Sequence, residues 1–186
     1  TRKGEQVVAT DETPFQLDID KIPTLKPAFG KDGSVTAASS SSISDGAAAI
    51  VLAAESAARA AGLKPLARLV SYASHAQAPE WFTTAPAPAM HKAIDRASWK
   101  VADVDLFEIN EAFACVAMAA MQDLGLRHDQ VNVNGGACAM GHPVGATGAR
   151  ILTTLLYALR KRGLRRGVAS QCIGGGEACA VAIELL

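Results

Sequence analysis

Three short segments of this 186-residue chain combine reactive side chains with residues that free the backbone. The first is "NGGACAMGHPVGATGAR", residues 134–150, in which His142 lies between Gly141 and Pro143 among five glycines. Glycine is placed where the backbone turns with positive φ or where another group approaches closely. An imidazole near a helix N-terminus tends to stay neutral, which suits a base or a hydrogen-bond donor. The segment therefore predicts a ligand beside His142, and a buried, internally bonded histidine is the alternative.

The second segment is "CIGGGEAC", residues 172–179, which places Cys172 at the end of a predicted strand. The three glycines that follow leave backbone N–H groups free beside the thiol. Acyl transfer needs a thiolate and donors for a developing oxyanion. By itself this pattern indicates that Cys172 is a nucleophile with His142 as its base. A small buried cysteine before a tight hairpin remains the alternative.

The third segment is "EINEAFA", residues 108–114, with Asn110 between a predicted strand and a predicted helix. Its amide could cap the helix or hold a water or a ligand, and for this segment alone the cap is favoured. Glu111 is a candidate first-turn carboxylate. Cys138 and His142 stand four residues apart, but no second pair has finger-like spacing, so a metal site is not favoured.

The elements that must position these residues alternate between strand and helix. This alternation predicts an α/β layered fold with a mostly parallel sheet. A long Ala-rich helix is expected from Ser44 or Asp45 to Gly62. Further helices are predicted at 84–98, at 113–124 and from about 145 to 162, and five strands at 67–75, 106–109, 131–134, 167–172 and 178–185.

Composition excludes several classes of function. The 18 basic and 18 acidic residues balance, so no general attraction to nucleic acid or to an anionic membrane is implied. No apolar run reaches bilayer length and no signal peptide opens the chain. The four cysteines are expected to be reduced thiols. We therefore expect a soluble, cytoplasmic protein.

Taken together, the segments resemble the thiolase family. The similarity rests on "NEAFA" (110–114), "NVNGGACAMGHPVGATGAR" (132–150) and "CIGGGEACAVAIE" (172–184), with "SSISDGAAA" (41–49) similar to the family's coenzyme A loop. It extends over residues 35–186, and more loosely over 1–34. The resemblance implies a thiolase-like layered α/β fold with a mixed, mostly parallel five-stranded sheet covered by helices. It implies coenzyme A thioesters as substrates, with no metal and no other cofactor.

The resemblance also divides the chain. Residues 1–43 would be the end of the loop domain with the coenzyme A loop, residues 44–62 the last helix of the N-terminal domain, and residues 63–186 the C-terminal domain. The family's nucleophilic cysteine lies in an N-terminal half that this sequence does not include. We therefore expect that half as a partner, a homodimer or homotetramer in the complete protein, and an inactive chain without it.

The resemblance changes the catalytic roles. His142 would activate the nucleophile and help to hold the thioester oxygen, and Cys172 would be the acid and base that moves the α-proton. Asn110 would hold a catalytic water in one oxyanion hole, and the Gly174 N–H would donate to the other. The residues expected along the coenzyme A and acyl tunnel are Ser41, Ala37, Phe82, Ala112 and Phe113.

The favoured reaction is the condensation of two acetyl-CoA to acetoacetyl-CoA and coenzyme A, together with the reverse thiolysis. Thiolysis of longer 3-ketoacyl-CoA substrates is the first alternative, because the signatures are shared. The second alternative is a non-catalytic isolated half that binds a partner chain.

Overall fold

A computed structural model of the chain describes residues 4, 5 and 7–186. Within these residues the strands form a four-stranded sheet of order β1-β4-β3-β2. The strands are β1 (Ala67–Ala76), β2 (Leu106–Ile109), β3 (Arg166–Ile173) and β4 (Glu177–Leu185). The α-helices are α1 (Thr13–Gln16), α2 (Glu55–Ala60), α3 (Pro86–Arg96), α4 (Ala114–Leu124), α5 (Ala137–Met140) and α6 (Thr147–Arg162). Short 3-10 turns include Ala37–Ser39 and Pro79–Thr84.

Local chemistry sets the ends of the main helices. Helix α3 begins at Pro86, where a missing N–H costs little. Helices α4 and α6 end at Gly125 and Gly163, both in the left-handed conformation with φ of 66°. The predictions for these three helices and for the four strands are confirmed to within a few residues.

The sheet is the middle layer of three. One face packs against α3 and α4 and includes Phe107 and Ile109, while the other packs against α6 and includes Leu106. Because side chains alternate along a strand, Glu108 and Asn110 face the α6 side with Leu106. The layered α/β architecture is therefore confirmed.

The prediction of a fifth strand at residues 131–134 is wrong. Val131 forms only an isolated bridge to Phe107. Asn132 then adopts φ of 47°, which ends the extended backbone. Its side-chain amide takes the place of a strand, since Oδ1 accepts from the Ile109 N–H at 2.8 Å and Nδ2 donates to the Ile109 carbonyl at 2.9 Å.

The expectation of a mostly parallel sheet is also wrong. Only β2 and β3 pair in parallel, with α4, α5 and α6 lying between them in the sequence. The three glycines 174–176 join β3 to β4 as a hairpin, which forces an antiparallel pair, and β1 pairs antiparallel with β4. Strand–helix alternation predicts the layers but does not predict the direction of edge strands.

The long helix predicted over residues 44–62 is reduced to α2, Glu55–Ala60. The apolar side chains before it are exposed, with Val51 at 90% and Leu52 at 72%. Helices are stabilised mainly by burying an apolar face, and residues 47–54 have none buried in this chain. The good helix propensity of residues 47–54 is therefore not enough to form a helix in this chain.

Two further properties concern the described residues as a whole. They contain no helix with the length and apolarity needed to cross a bilayer. All four cysteines are free thiols, as the composition predicts.

Candidate active site

The candidate residues meet at one edge of the sheet. Asn110 follows β2 directly, and its N–H continues the parallel ladder by donating to the Ser170 carbonyl at 2.9 Å. Cys172 lies near the end of β3, and Gly174 follows in the exposed hairpin turn. His142 reaches this edge from the loop between α5 and α6. Sites in α/β proteins form at such carboxyl ends of strands.

Hydrogen bonds determine the tautomer of His142. The Thr147 hydroxyl donates to the Pro143 carbonyl at 3.0 Å, so its oxygen accepts from His142 Nδ1 at 2.7 Å. With the proton on Nδ1, a neutral ring carries a lone pair on Nε2. Nε2 lies 3.5 Å from the Asn110 Nδ2 amide, at the outer limit of a hydrogen bond. The unprotonated nitrogen therefore points to the strand edge.

The electrostatic surroundings favour this neutral form. Partial burial lowers the pKa of His142 below its usual value, and the Arg150 guanidinium lowers it further. Both effects disfavour the imidazolium, because burial removes hydration and a nearby cation repels a second positive charge. His142 is thus suited to accept a proton at neutral pH.

Asn110 is almost completely buried, with 1% of its surface exposed. It does not cap α4, since that helix begins after Phe113 and has no side-chain cap. Its Oδ1 is buried and has no hydrogen-bond partner among the residues that the structure describes. Buried polar atoms are almost always satisfied, so an unpaired amide oxygen at this edge indicates a bound water or a substrate group.

Cys172 packs against the core layer formed by α3 and α4. Burial raises the pKa of its thiol to about 11, so the group is protonated at neutral pH. A raised pKa is unlike that of an activated nucleophilic cysteine, in which neighbouring charges lower the pKa. In this environment the Cys172 thiol is suited to donate a proton, and its thiolate is a strong base.

A loop of small residues closes over this edge. Ser41 donates both its N–H and its hydroxyl to the Ala112 carbonyl, at 3.1 and 3.0 Å. The His142 N–H donates to the Ser42 carbonyl at 2.8 Å. Gly141, with φ of 90°, has no room for a Cβ because Ser44 Oγ fills that space. This glycine is therefore required for the loop to contact the histidine segment.

Aromatic rings line the approach to the site. Phe113 lies edge-on between Phe29 at 5.6 Å and Phe82 at 6.3 Å, measured between ring centroids. Ala112 is half-buried beside Phe113, and Ala37 begins the 3-10 turn before the serine loop. Ser41 and Phe82 thus contact Ala112 and Phe113, which follow Asn110 closely in the sequence.

The structure adds two ionisable groups that sequence reasoning missed, the buried Glu108 and the half-buried Arg150, which interact electrostatically. Glu108 is 2% exposed, and burial raises the pKa of its carboxyl to about 7 despite the opposing effect of Arg150. Glu108 Oε1 and both Nε and Nη1 of Arg150 are buried without a hydrogen-bond partner in the described part of the chain. A glutamate inside the short apolar strand "LFEI" is the signal that could have revealed it.

Glu111 also has a role that its sequence position did not predict. Its carboxylate accepts from Asn132 Nδ2 at 2.9 Å and from the Cys138 N–H at 3.1 Å. It occupies the space that a Cβ on Gly136 would fill. Glu111 thus ties the "NEAFA" turn to the glycine-rich segment rather than serving the first turn of α4.

The structure therefore brings Asn110 and His142 into contact and places Cys172 at the same edge. Among the described residues Cys172 makes no hydrogen bond with either of them. The Cys138 thiol points at the Glu111 carbonyl instead of sharing a ligand with His142. No group of three His, Cys, Asp or Glu residues in the described part of the chain could hold a metal ion.

Two family models match the chain. The model described as "Thiolase, C-terminal domain" matches residues 63–185, and that described as "Thiolase, N-terminal domain" matches residues 1–56. Among curated proteins, an acetyl-CoA acetyltransferase of Allochromatium vinosum is 50% identical over 98% of this chain and 47% of its own length. The chain spans about half the length of the curated relatives it matches.

Solved structures are similar over most or all of the chain. An acetyl-CoA acetyltransferase of Bacillus anthracis is 45% identical with a TM-score of 0.93, over 100% of this chain and 48% of its own. A human mitochondrial 3-ketoacyl-CoA thiolase in complex with CoA is 37% identical with a TM-score of 0.84, over 92% of this chain and 43% of its own.

Proposed function

Because the chain belongs to the thiolase family, we propose that it supplies the acid–base and oxyanion groups of an acetyl-CoA acetyltransferase. The reaction joins two acetyl-CoA into acetoacetyl-CoA and coenzyme A, and thiolysis is its reverse. The observation that carries the proposal is the contact of Asn110 with the unprotonated Nε2 of His142, beside an unpaired buried amide oxygen. The names of the similar proteins support the acetyl substrate.

In the proposed mechanism, His142 first accepts the proton of a nucleophilic cysteine. Its neutral state, with Nδ1–H held by Thr147, suits this step because Nε2 is free to accept. The resulting thiolate takes the acetyl group from acetyl-CoA and releases coenzyme A. This cysteine would belong to the part of the relatives' length that the chain does not span.

Cys172 moves the second proton. In condensation the Cys172 thiol first gives its proton to the coenzyme A thiolate released in the acetylation step. The Cys172 thiolate then removes an α-proton from the second acetyl-CoA, and the enolate carbon attacks the acetyl-enzyme and expels the cysteine thiolate. In thiolysis the Cys172 thiol protonates the departing enolate carbon. The raised pKa of about 11 supports this role, because a weakly acidic α-proton requires a strong base.

Oxyanion donors stabilise the charge that forms on the thioester oxygens. A water held by Asn110, with His142, would serve one oxygen, and the Gly174 N–H would serve the other. Such donors typically contribute about 3–4 kcal/mol each to lowering the barrier. Ser41 and Ala37 would line the pantetheine of coenzyme A, and Phe82, Ala112 and Phe113 the acyl end. The solved thiolase in complex with CoA supports coenzyme A thioesters as the ligand class.

The same proposal divides the chain into residues 1–43 with the coenzyme A loop, residues 44–62 from the N-terminal domain, and residues 63–186 as the C-terminal domain. It assigns an N-terminal thiolase half as partner, and a homodimer or homotetramer as the complete enzyme. No cofactor beyond the coenzyme A substrate enters the mechanism, and the cytoplasm is the proposed location.

A 3-ketoacyl-CoA thiolase with longer substrates is the second candidate. The similarity to the human 3-ketoacyl-CoA thiolase favours it, because the fold match extends over 92% of this chain. The identity to the acetyltransferases is higher, so the acetyl substrate is the first choice.

The experiment supplies the N-terminal half of a thiolase as a second polypeptide and incubates both with acetyl-CoA. We expect acetoacetyl-CoA thiolysis only when both polypeptides are present, and an acetyl adduct only on the supplied half in a denaturing intact-mass spectrum. Cys172→Ser should lower kcat about a hundredfold or more, as loss of a positioned proton-transfer group does. His128→Asn, at an exposed histidine, is the matched control and should leave kcat unchanged.

Each other outcome has a definite meaning. An acetyl adduct on this chain would make Cys172 the nucleophile and contradict its assignment as acid and base. Normal thiolysis by Cys172→Ser would contradict it as well. A higher kcat/KM for a six-carbon 3-ketoacyl-CoA than for acetoacetyl-CoA would favour the second candidate.

A further inference from the structure

A chain of side-chain hydrogen bonds leads from α3 to the turn that carries Phe82. Lys92 Nζ lies 3.1 Å from His75 Nδ1, and His75 Nε2 lies 3.0 Å from Gln77 Oε1. Gln77 Nε2 then contacts the Trp81 carbonyl at 2.5 Å and Thr84 Oγ1 at 2.8 Å. None of these groups takes part in the proton transfers proposed above.

Because Lys92 can only donate, it determines the donor and the acceptor in each hydrogen bond of this series. A lysine ammonium only donates, so His75 Nδ1 must accept and the proton of the neutral ring lies on Nε2. His75 Nε2–H therefore donates to Gln77 Oε1, and the Gln77 NH₂ group is left as the donor. Thr84 gives its own proton to the Trp81 carbonyl at 2.9 Å, so its oxygen is free to accept from Gln77.

At the far end of this hydrogen-bond series, the Gln77 amide holds the Pro79–Thr84 turn at two points, the Trp81 carbonyl and the Thr84 hydroxyl. The ends of this 3-10 turn are closed by backbone bonds from the Trp81 N–H to the Ala78 carbonyl and from the Ala85 N–H to the Phe82 carbonyl. Phe82 projects from this turn onto Phe113, next to the "NEAFA" segment. The position of its ring therefore depends on how firmly the turn is held.

The backbone of the same glutamine contacts the hairpin that follows Cys172. The Gln77 N–H donates to the Gly176 carbonyl at 3.0 Å. Gly176 has φ of 99°, and a Cβ there would collide with the Gln77 carbonyl. Gln77 thus joins the turn carrying Phe82 to the hairpin carrying Gly174.

At the near end of the hydrogen-bond series, hydrogen bonds join β1 to α3. The Ser71 hydroxyl, which is buried in β1, donates to the Ala93 carbonyl of α3 at 2.5 Å. Arg96 Nη1 donates to the Tyr72 carbonyl at 2.7 Å. Because these bonds hold α3 against β1, Lys92 on α3 and His75 on β1 keep a constant position relative to each other and so restrict the orientation of the Gln77 side chain.

We propose that Gln77, oriented by His75 and Lys92, is a positioning residue that fixes the Phe82 turn against the Gly174 hairpin and so determines the length of acyl chain accepted. The inference rests on the proposed function, because it takes Phe82 as the wall of the acyl pocket. With the turn held, the Phe82 ring limits the space for additional methylenes. With the turn released, longer acyl chains gain access.

The first measurement is independent of catalysis. In Gln77→Met the side-chain length is kept, but the acceptor and both donors are lost. Amide deuterium uptake over residues 79–84 should become about tenfold faster, while uptake over α3 stays unchanged. Gln77→Glu keeps the acceptor for His75 and loses both donors, so it should give the same acceleration in the turn.

A second variant tests the first bond of the hydrogen-bond series, between Lys92 and His75, and leaves Gln77 unchanged. Lys92→Met should release the constraint on His75, and ¹⁵N spectra of its imidazole should change from the pure Nε2–H tautomer to a mixture. Lys64→Met removes an equivalent exposed lysine before β1 and should leave the tautomer as it was. An Nδ1–H tautomer in the unmodified chain would overturn the proposed bond directions.

The specificity measurement uses the chain together with the N-terminal thiolase half. In Gln77→Met the ratio of kcat/KM for a six-carbon 3-ketoacyl-CoA to that for acetoacetyl-CoA should rise about tenfold, the scale on which pockets discriminate methylenes. Lys64→Met should leave the ratio unchanged. An unchanged ratio with faster turn exchange would overturn the specificity role and leave the proposed reaction intact. Absence of thiolysis in the unmodified pair would instead contradict the proposed function.

Discussion

At the scale of single residues, the chemistry of the candidate site depends on the protonation states of its side chains. His142 is neutral because burial and Arg150 both lower its pKa, and Thr147 fixes which nitrogen is free. Cys172 keeps its proton because burial raises its pKa. Glu108 lies within β2, and burial raises the pKa of its carboxyl to about 7. The protonation state of each of these three groups is thus set by its surroundings.

Glu108 gives a prediction for stability against pH. Its folded-state pKa of about 7 exceeds the model-peptide value of 4.5, so the folded state binds the proton more tightly than the unfolded state. This contribution is fully present below pH 4.5 and is lost as the pH rises through 7. Glu108→Gln keeps the shape of the neutral form, so the fall in the free energy of unfolding between about pH 5 and pH 8 should become shallower.

Urea unfolding at a series of pH values measures this slope. Glu80→Gln, at an exposed glutamate in the Pro79–Thr84 turn, is the control and should retain the original slope. An equal slope in Glu108→Gln and in the unmodified chain would mean that Glu108 does not carry a raised pKa.

At the scale of elements, α6 decides where the histidine segment lies. Its start is fixed by the Pro143 carbonyl, which accepts from the N–H groups of Ala146 and Thr147. Its apolar side packs on β3 so closely that a Cβ on Gly167 would lie 2.7 Å from a methyl carbon of Leu155. The distance between α6 and β3 therefore depends on the absence of a side chain at residue 167.

Gly167→Ala should accordingly destabilise the fold. Leu155 is fully buried and cannot move away without shifting α6, so the free energy of unfolding should fall by about 1–3 kcal/mol, as overpacking typically costs. Chemical denaturation measures the change. Gly30→Ala, where a Cβ would meet nothing within 4 Å, is the matched control and should change stability by well under half as much. Equal effects of the two substitutions would contradict the packing argument.

At the scale of the whole molecule, the chain exposes apolar surface beside its site. Ile43 is 92% exposed, and Val51 and Leu52 are also largely exposed in the segment before α2. The chain spans about half the length of its relatives, and residues 1–56 match the thiolase N-terminal domain model. In the proposed enzyme, the rest of the N-terminal domain would cover this surface.

We expect residues 44–54 to become helical when this chain is joined to the rest of a thiolase N-terminal domain. Burial of Val51 and Leu52 would then supply the packing that a helix needs. Amide deuterium uptake over residues 44–54 should slow, whereas uptake over the already buried strand β4 should stay the same. Equal uptake at 44–54 in the joined and isolated chains would show that the segment does not pack on the added domain.

The sequence by itself determined the layered α/β class, the four strands of the sheet and the three long helices, although it also predicted a fifth strand. Capping glycines such as Gly125 and Gly163 and the apolar periodicity act locally, so they can be recognised without the fold. The chemistry-bearing segments were also recognisable, since glycines around His142 and after Cys172 have little other use. These signals located the candidate site before any geometry was available.

Only the tertiary structure decided strand direction, the length of the Ala-rich helix and the protonation of the site. Asn132 replaces a fifth strand with its side chain, which depends on a partner strand 23 residues away. The electrostatic interaction of Glu108 with Arg150 arises because α6 packs on β2. Strand pairing, burial and electrostatics are relations between residues distant in sequence, and a local pattern does not contain them.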